Sequence, residues 1–203
     1  MTDRMRVALL ARAGQARDQL HRALEEAGVL IVAEGDPAEL DPKDVAEKLP
    51  KFFLVGLEPA TEKSIDRFDA LFEAVPSPVN GLTLCVGSLT AGRHNDASAL
   101  VRHFAPRIHF AHLRTVLLEE DDSFVEADHL AGDANLVDVG RVLVAEERRR
   151  RKAGLAHAEI AMRPDHGRVL EGDIADLPGY PWLGRLKALA ELRGMLTAIE
   201  QLT

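Results

Sequence analysis

Short apolar runs alternate with segments of helical period along the whole chain, and that alternation narrows the accessible folds more than any other feature. Residues 7–10, 29–33, 52–55, 82–86, 108–113 and 160–162 are apolar and often β-branched or aromatic, as buried strands are. Between them lie helix patterns. Leu20, Ala23, Leu24 and Ala27 share a face that stops at Gly28. Asp41-Pro42 can cap a helix burying Val45, Ala46 and Leu49, and Thr61 one carrying Ile65, Phe68, Leu71 and Phe72. Leu100, Val101 and Phe104 mark a short helix, and Leu136, Val139 and Leu143 open a longer one. Leu186, Leu189, Leu192, Leu196 and Ile199 define the last. The expectation is an α/β chain of about six parallel β–α units, as an open sheet or an incomplete barrel. Pro76-Ser77-Pro78 is the one obvious joint, dividing residues 1–75 from 76–203, and the two halves are expected to form one cooperative unit.

The 203 residues are 46% hydrophobic and carry a net charge of −8, with a pI near 5.5. Nucleic acid is not an expected partner of so acidic a chain. The basic run Arg148-Arg149-Arg150-Arg151-Lys152 reads as a solvated helix end that complements the macrodipole. No apolar run approaches the length of a membrane span, and the N-terminal apolar stretch is too short for a secretory signal; a cytoplasmic location is expected. Cys85 is the single cysteine, so no intrachain disulfide forms. Open sheet edges would favour a homodimer.

Residues 7–72 resemble the opening units of a degenerate, flavodoxin-like response-regulator receiver. The chemistry of that family is missing. Ala11-Arg12-Ala13-Gly14 follows the first strand without an acid to hold magnesium, and counting back from Pro59 to the acceptor position lands on Val55. Glu58 is nearby but is a poor substitute, so no phosphoacceptor is expected.

The second half carries more particular motifs. Asn80-Gly81-Leu82-Thr83-Leu84-Cys85-Val86-Gly87-Ser88, Arg107-Ile108-His109-Phe110-Ala111-His112-Leu113-Arg114 and Glu126-Ala127-Asp128-His129-Leu130 come first. Met162-Arg163-Pro164-Asp165-His166-Gly167, Pro178-Gly179-Tyr180 and Gly184-Arg185-Leu186-Lys187 follow. In order and content these resemble the C-terminal part of the mannonate dehydratases, sugar-acid lyases of TIM-barrel type. The residues alone already suggest a site. Cys85, His112 and Asp165 each fall at the C-terminal end of an expected strand, where α/β folds gather functional groups. A thiolate, an imidazole and a carboxylate suit a divalent transition ion such as manganese, iron or zinc. His109 lies three residues from His112 and so faces the other side of a strand.

The resemblance implies that Cys85, His112 and Asp165 are metal ligands and that His166 and Tyr180 are the acid/base pair. It also implies the reaction, dehydration of D-mannonate to 2-dehydro-3-deoxy-D-gluconate. Arg163 and His129 either line the sugar-acid pocket or fix the loop. The resemblance further implies a histidine ligand from an earlier unit, yet residues 1–75 hold only His21, on a helix. Two unlike fragments meeting at Pro-Ser-Pro would make the chain a hybrid, a receiver-like fragment joined to a half-barrel. The function expected is a scaffold that keeps part of the metal and acid/base site but has lost the parental reaction. The alternatives are an active metal-dependent sugar-acid dehydratase and a receiver-type adaptor without phosphorylation.

Overall fold

In the computed structural model, all six apolar runs lie on strands, and every ladder among them is parallel. The structure describes residues 6–10, 13, 15–36, 39–41, 43–44, 52–55, 62–175 and 177–203. Expectations placed on Val45, Ala46, Leu49, Glu58, Pro59 and Thr61 lie outside those residues. The chain divides into two compact units, Met1–Asn80 and Gly81–Thr203.

In the first unit, β1 (Arg6–Leu10) lies between β2 (Leu30–Gly35) and β3 (Phe52–Val55). Helices α1 (Gln15–Glu26) and α2 (Glu62–Ala74) accompany this sheet. Ala8 and Leu71 pack with Ala33 in the core, and Phe68 and Phe72 are also buried. His21 lies on α1 and bonds through Nδ1 to Glu34 Oε2 at 2.8 Å.

The second unit holds a sheet of its own, in the order β4 (Leu82–Cys85), β5 (Ile108–His112), β8 (Ala161–Arg163). Among the described residues the parallel strands thus form two sheets of three, not one continuous sheet of six. Helices α3 (Val86–Thr90) and α4 (Ala97–Phe104) follow β4, and a 3-10 turn at Ala105–Arg107 leads into β5. Past β5 the chain makes an antiparallel hairpin of β6 (Val116–Leu118) and β7 (Phe124–Glu126). Then come α5 (Leu136–Lys152), β8 and α6 (Trp182–Leu202). Ile108, Ala111 and Leu113 are buried, as are Val101 and Phe104 of α4 and Leu136, Val139 and Leu143 of α5. Asn135 caps α5 by accepting from Asp138 N at 3.0 Å, and Asp96 caps α4 in the same way.

Two expectations about helix surfaces are corrected. The basic run at the end of α5 is not simply solvated. Arg150 is buried: its Nε donates to Glu146 Oε1 at 2.8 Å, and its Nη2 donates to the carbonyls of Ala105 and Ile108 at 2.9 and 2.8 Å. Arg148 donates to Glu200 O at the end of α6, and Arg149 and Arg151 pair with Glu146 and Glu147. On α6 the inward stripe is Ala188, Leu192, Met195 and Ile199, while Leu186 and Leu189 are exposed. Gly140 of α5 admits the close approach of Met195 and Ile199, and that contact sets the phase of the helix. No helix among the described residues is long and apolar enough to cross a membrane.

Candidate metal centre

Ladder register assembles the site. Cys85 is the cross-strand partner of His112, and His112 is the partner of Arg163, so the last residues of β4, β5 and β8 stand in one row. Two residues beyond β8 the backbone of Asp165 turns left-handed, with φ of 66°. Aspartate tolerates this better than most residues, at a cost of about 1–2 kcal/mol. The carboxylate is buried and reaches back to the row: Oδ2 lies 3.3 Å from His112 Nδ1.

One donor atom each from Cys85, His112 and Asp165 lies within 4.8 Å of the other two. Bonds of about 2.0–2.3 Å to a transition ion place its ligand atoms at most about 4.6 Å apart; the 3.3 Å between His112 and Asp165 falls inside that limit, and the outer bound of 4.8 Å for the set lies close to it. Burial pushes the His112 imidazole below its ordinary range, against the pull of Asp165 and helped by the charges of Arg163 and His166. That favours the neutral form, the one that ligates metals. Arg163 Nη2 hydrogen-bonds to Asp165 Oδ1. Its Nε is buried with no partner.

His166 stands beside this cluster. Its Nδ1 lies 2.7 Å from Glu126 Oε1, and its Nε2 is 3.9 Å from Asp165 Oδ2. The Tyr180 ring centre is 4.6 Å from that of His166, and the Arg185 guanidinium lies over the Tyr180 ring at 5.3 Å. His129 is fully buried and bonds through Nε2 to Pro164 O at 3.1 Å, which ties down the loop carrying Asp165 and His166. Burial lowers its pKa. His109, by contrast, turns away and lies against Gly81, where a Cβ would come 2.6 Å from its Nε2.

Two residues to which sequence reasoning assigned no role complete the arrangement. Arg114 grips Glu126 with Nε on Oε2 at 3.0 Å and Nη2 on Oε1 at 2.6 Å. Burial opposes the charge on Arg114, but Glu126, with smaller help from Cys85 and Asp165, raises its pKa above the ordinary value. Both residues fall inside motif stretches, and that was the only signal available for them.

Comparison with known proteins gives this arrangement a family. A profile described as D-mannonate dehydratase (UxuA) matches residues 42–203. The chain belongs to the mannonate dehydratase family. A mannonate dehydratase of Rhizobium meliloti is 44% identical over 199 residues, covering 94% of this chain and 48% of that protein. One from Saccharophagus degradans is 49% identical over 156 residues, covering 75% of this chain and 39% of its own length. The crystal structure of mannonate dehydratase from Streptococcus suis serotype 2 superposes with a TM-score of 0.58 at 27% identity, covering 91% of this chain and 47% of that one. The chain therefore spans about 40–50% of the length of these relatives.

These matches overturn the hybrid reading. Mannonate dehydratase similarity runs through nearly the whole chain, including the part read as receiver-like, so no foreign fragment is joined at Pro76-Ser77-Pro78. The expected scaffold that had lost its reaction, argued from that junction and from the absent β–α units, is overturned as well: the chain matches mannonate dehydratases at 44–49% identity over most of its length. The flavodoxin-like label for the first half is likewise withdrawn. What stands is a mixed α/β fold with parallel strands, whose solved neighbour is a mannonate dehydratase.

Proposed function

We propose that this chain binds one divalent transition metal through Cys85, His112 and Asp165 and dehydrates D-mannonate to 2-dehydro-3-deoxy-D-gluconate. The observation that carries this reading is the convergence of those three donors within 4.8 Å, beside a histidine and a tyrosine in ring contact. When bound, the metal supplies a Lewis acid that holds and polarises the sugar acid. The remaining work belongs to the chain. The C2 proton of mannonate leaves to a base, and the C3 hydroxyl leaves with a proton from an acid. The resulting enol rearranges to the 2-keto product, so the net loss is one water. His166 and Tyr180 are adjacent and able to divide these two transfers, each relaying a proton the other does not carry. Arg163 keeps donors beyond its bond to Asp165 for the substrate carboxylate, and His129 holds the loop in place.

The test is direct. The chain is loaded in turn with Mn²⁺, Fe²⁺ and Zn²⁺ and incubated with D-mannonate, and the 2-keto-3-deoxy product is measured. Titration calorimetry on Cys85→Ala and Asp165→Asn follows metal affinity separately. Turnover abolished in His166→Ala, together with metal affinity weakened at least tenfold in the ligand variants, is the expected result. Absence of turnover with every metal, or unchanged metal affinity in the Cys85→Ala, Asp165→Asn double variant, refutes it.

A further inference from the structure

A histidine that moves a proton needs one ring nitrogen free and aimed at the reacting bond. His166 is held on the opposite side. An ionised carboxylate offers only acceptor oxygens, and Glu126 presents one at 2.7 Å from Nδ1 while the guanidinium of Arg114 grips both of its oxygens. Nδ1 must then carry the hydrogen, which leaves the lone pair on Nε2. That nitrogen faces the metal centre, 3.9 Å from the Asp165 oxygen that itself lies 3.3 Å from His112.

The brace continues behind Glu126. Arg114 crosses so close to Gly87 that a Cβ there would come 2.5 Å from its Cγ. Gly87 follows Cys85 by two residues, so His166 is indexed to the segment that carries that cysteine. The ring also meets Gly179 and Tyr180, and a Cβ at position 179 would lie 2.5 Å from His166 Nδ1.

We infer that Glu126, fixed by Arg114, is the positioning residue that holds His166 as its Nδ1–H tautomer with Nε2 directed at the substrate. This rests on the proposed dehydratase reading for its consequence in turnover, but the tautomer can be read without any turnover. Long-range ¹H–¹⁵N correlation spectra of the full chain in EDTA, at about pH 8.5 where an ordinary imidazole is neutral, report which ring nitrogen bears hydrogen. The spectrum of His166→Asn identifies the signals. The parent chain should show Nδ1–H for His166, Glu126→Ala should lose that preference, and Glu126→Gln, whose amide presents an N–H donor as well as an acceptor oxygen, should weaken it.

With metal and D-mannonate, Glu126→Ala should lower kcat about 10²-fold while KM changes less than about threefold, and Glu126→Gln, which lets the amide N–H donate to Nδ1 and favours the other tautomer, should not restore the loss. An Nε2–H tautomer in the parent overturns the inference, and so does an unaltered tautomer in Glu126→Ala or an effect confined to KM. If the alanine variant fails to fold, the parent spectrum decides alone. If the parent chain has no turnover, the function fails while the tautomer still settles the role of Glu126.

Discussion

Replacing Arg150 by methionine should destabilise the second unit severely, although arginine is ordinarily a surface residue. Its side chain is only 4% exposed, and that of Glu146, its partner, is 6% exposed. The substitution keeps most of the aliphatic volume and removes three hydrogen bonds, one to Glu146 and two to the carbonyls of Ala105 and Ile108. Breaking a buried ion pair from one side costs about 3–5 kcal/mol, because the other charge stays behind. Arg149 still donates twice to Glu146, which places the loss at the lower end of that range. The stranded carbonyls add to it, since an unsatisfied buried group costs about 1–3 kcal/mol. About 4 kcal/mol is therefore expected, against a total stability of about 5–15 kcal/mol for a typical domain. Urea denaturation followed by circular dichroism, with Trp182 fluorescence as a second probe, measures it. For a slope near 2 kcal/mol per molar urea, the midpoint should fall by about 2 M. The double variant Glu146→Gln, Arg150→Met should recover only about 0.5–1 kcal/mol, because Arg149 already offsets most of the charge that Arg150→Met leaves behind. A shift below about 1 kcal/mol for Arg150→Met, with unchanged slope, would refute the reasoning.

The same pair governs acid stability: the hydrogen bond from Arg149 outweighs burial and, with Arg150, holds the Glu146 carboxyl below its ordinary value of 4.5. A depressed carboxyl stabilises the fold above that value and ceases to do so as the pH falls through the folded pKa, so the stability gap between the parent and Glu146→Gln should be constant above about pH 5.5 and close below it; a gap that widens on acidification would contradict this. Gly179→Ala places a Cβ 2.5 Å from His166 Nδ1 at a φ of 80° and should cost about 1–2 kcal/mol in thermal unfolding while displacing the His166 ring; a variant with unchanged melting and turnover would show that the loop gives way freely. Asn135→Ala, which removes the cap of α5, should lower stability by about 1 kcal/mol with turnover unaffected, as chemical denaturation and the product assay can check.

The strands were legible because each is a short, continuous apolar run, the pattern a two-sided burial imposes. The hairpin was not. Its strands are three residues long, with Leu117, Phe124 and Val125 exposed, and they flank the acidic turn Glu119-Glu120-Asp121-Asp122. Such a segment reads as a polar loop. The phase of α6 was misjudged for a related reason: leucine outranks alanine on any hydrophobicity scale, yet Gly140 selects Met195 and Ile199 as the contact. Cys85 and His112 could be nominated because strand ends are predictable and the ladder does the rest, whereas Asp165 lies two residues past β8 and is brought back by its left-handed turn. Glu126 and His166 are forty residues apart and joined by a single side-chain bond, which no periodicity encodes. The receiver-like reading of the first half shows the opposite hazard. An alternation of strands and helices is shared by many families, so it supports a fold class and cannot by itself name a lineage.

The alignment of Cys85, His112 and Arg163 across neighbouring strands has a consequence for how such a protein can diversify. Strands in a ladder are held about 4.8 Å apart by the backbone itself. The spacing of the reactive row is therefore inherited from peptide geometry and owes little to the particular side chains that surround it. The tip of the β6–β7 hairpin, residues 119–123, can lengthen, shrink or exchange without disturbing that spacing, whereas Glu126 at the base of β7 is tied to His166 and cannot. Selection can then act on the shape of the entrance and on the reacting groups as separate heritable parts.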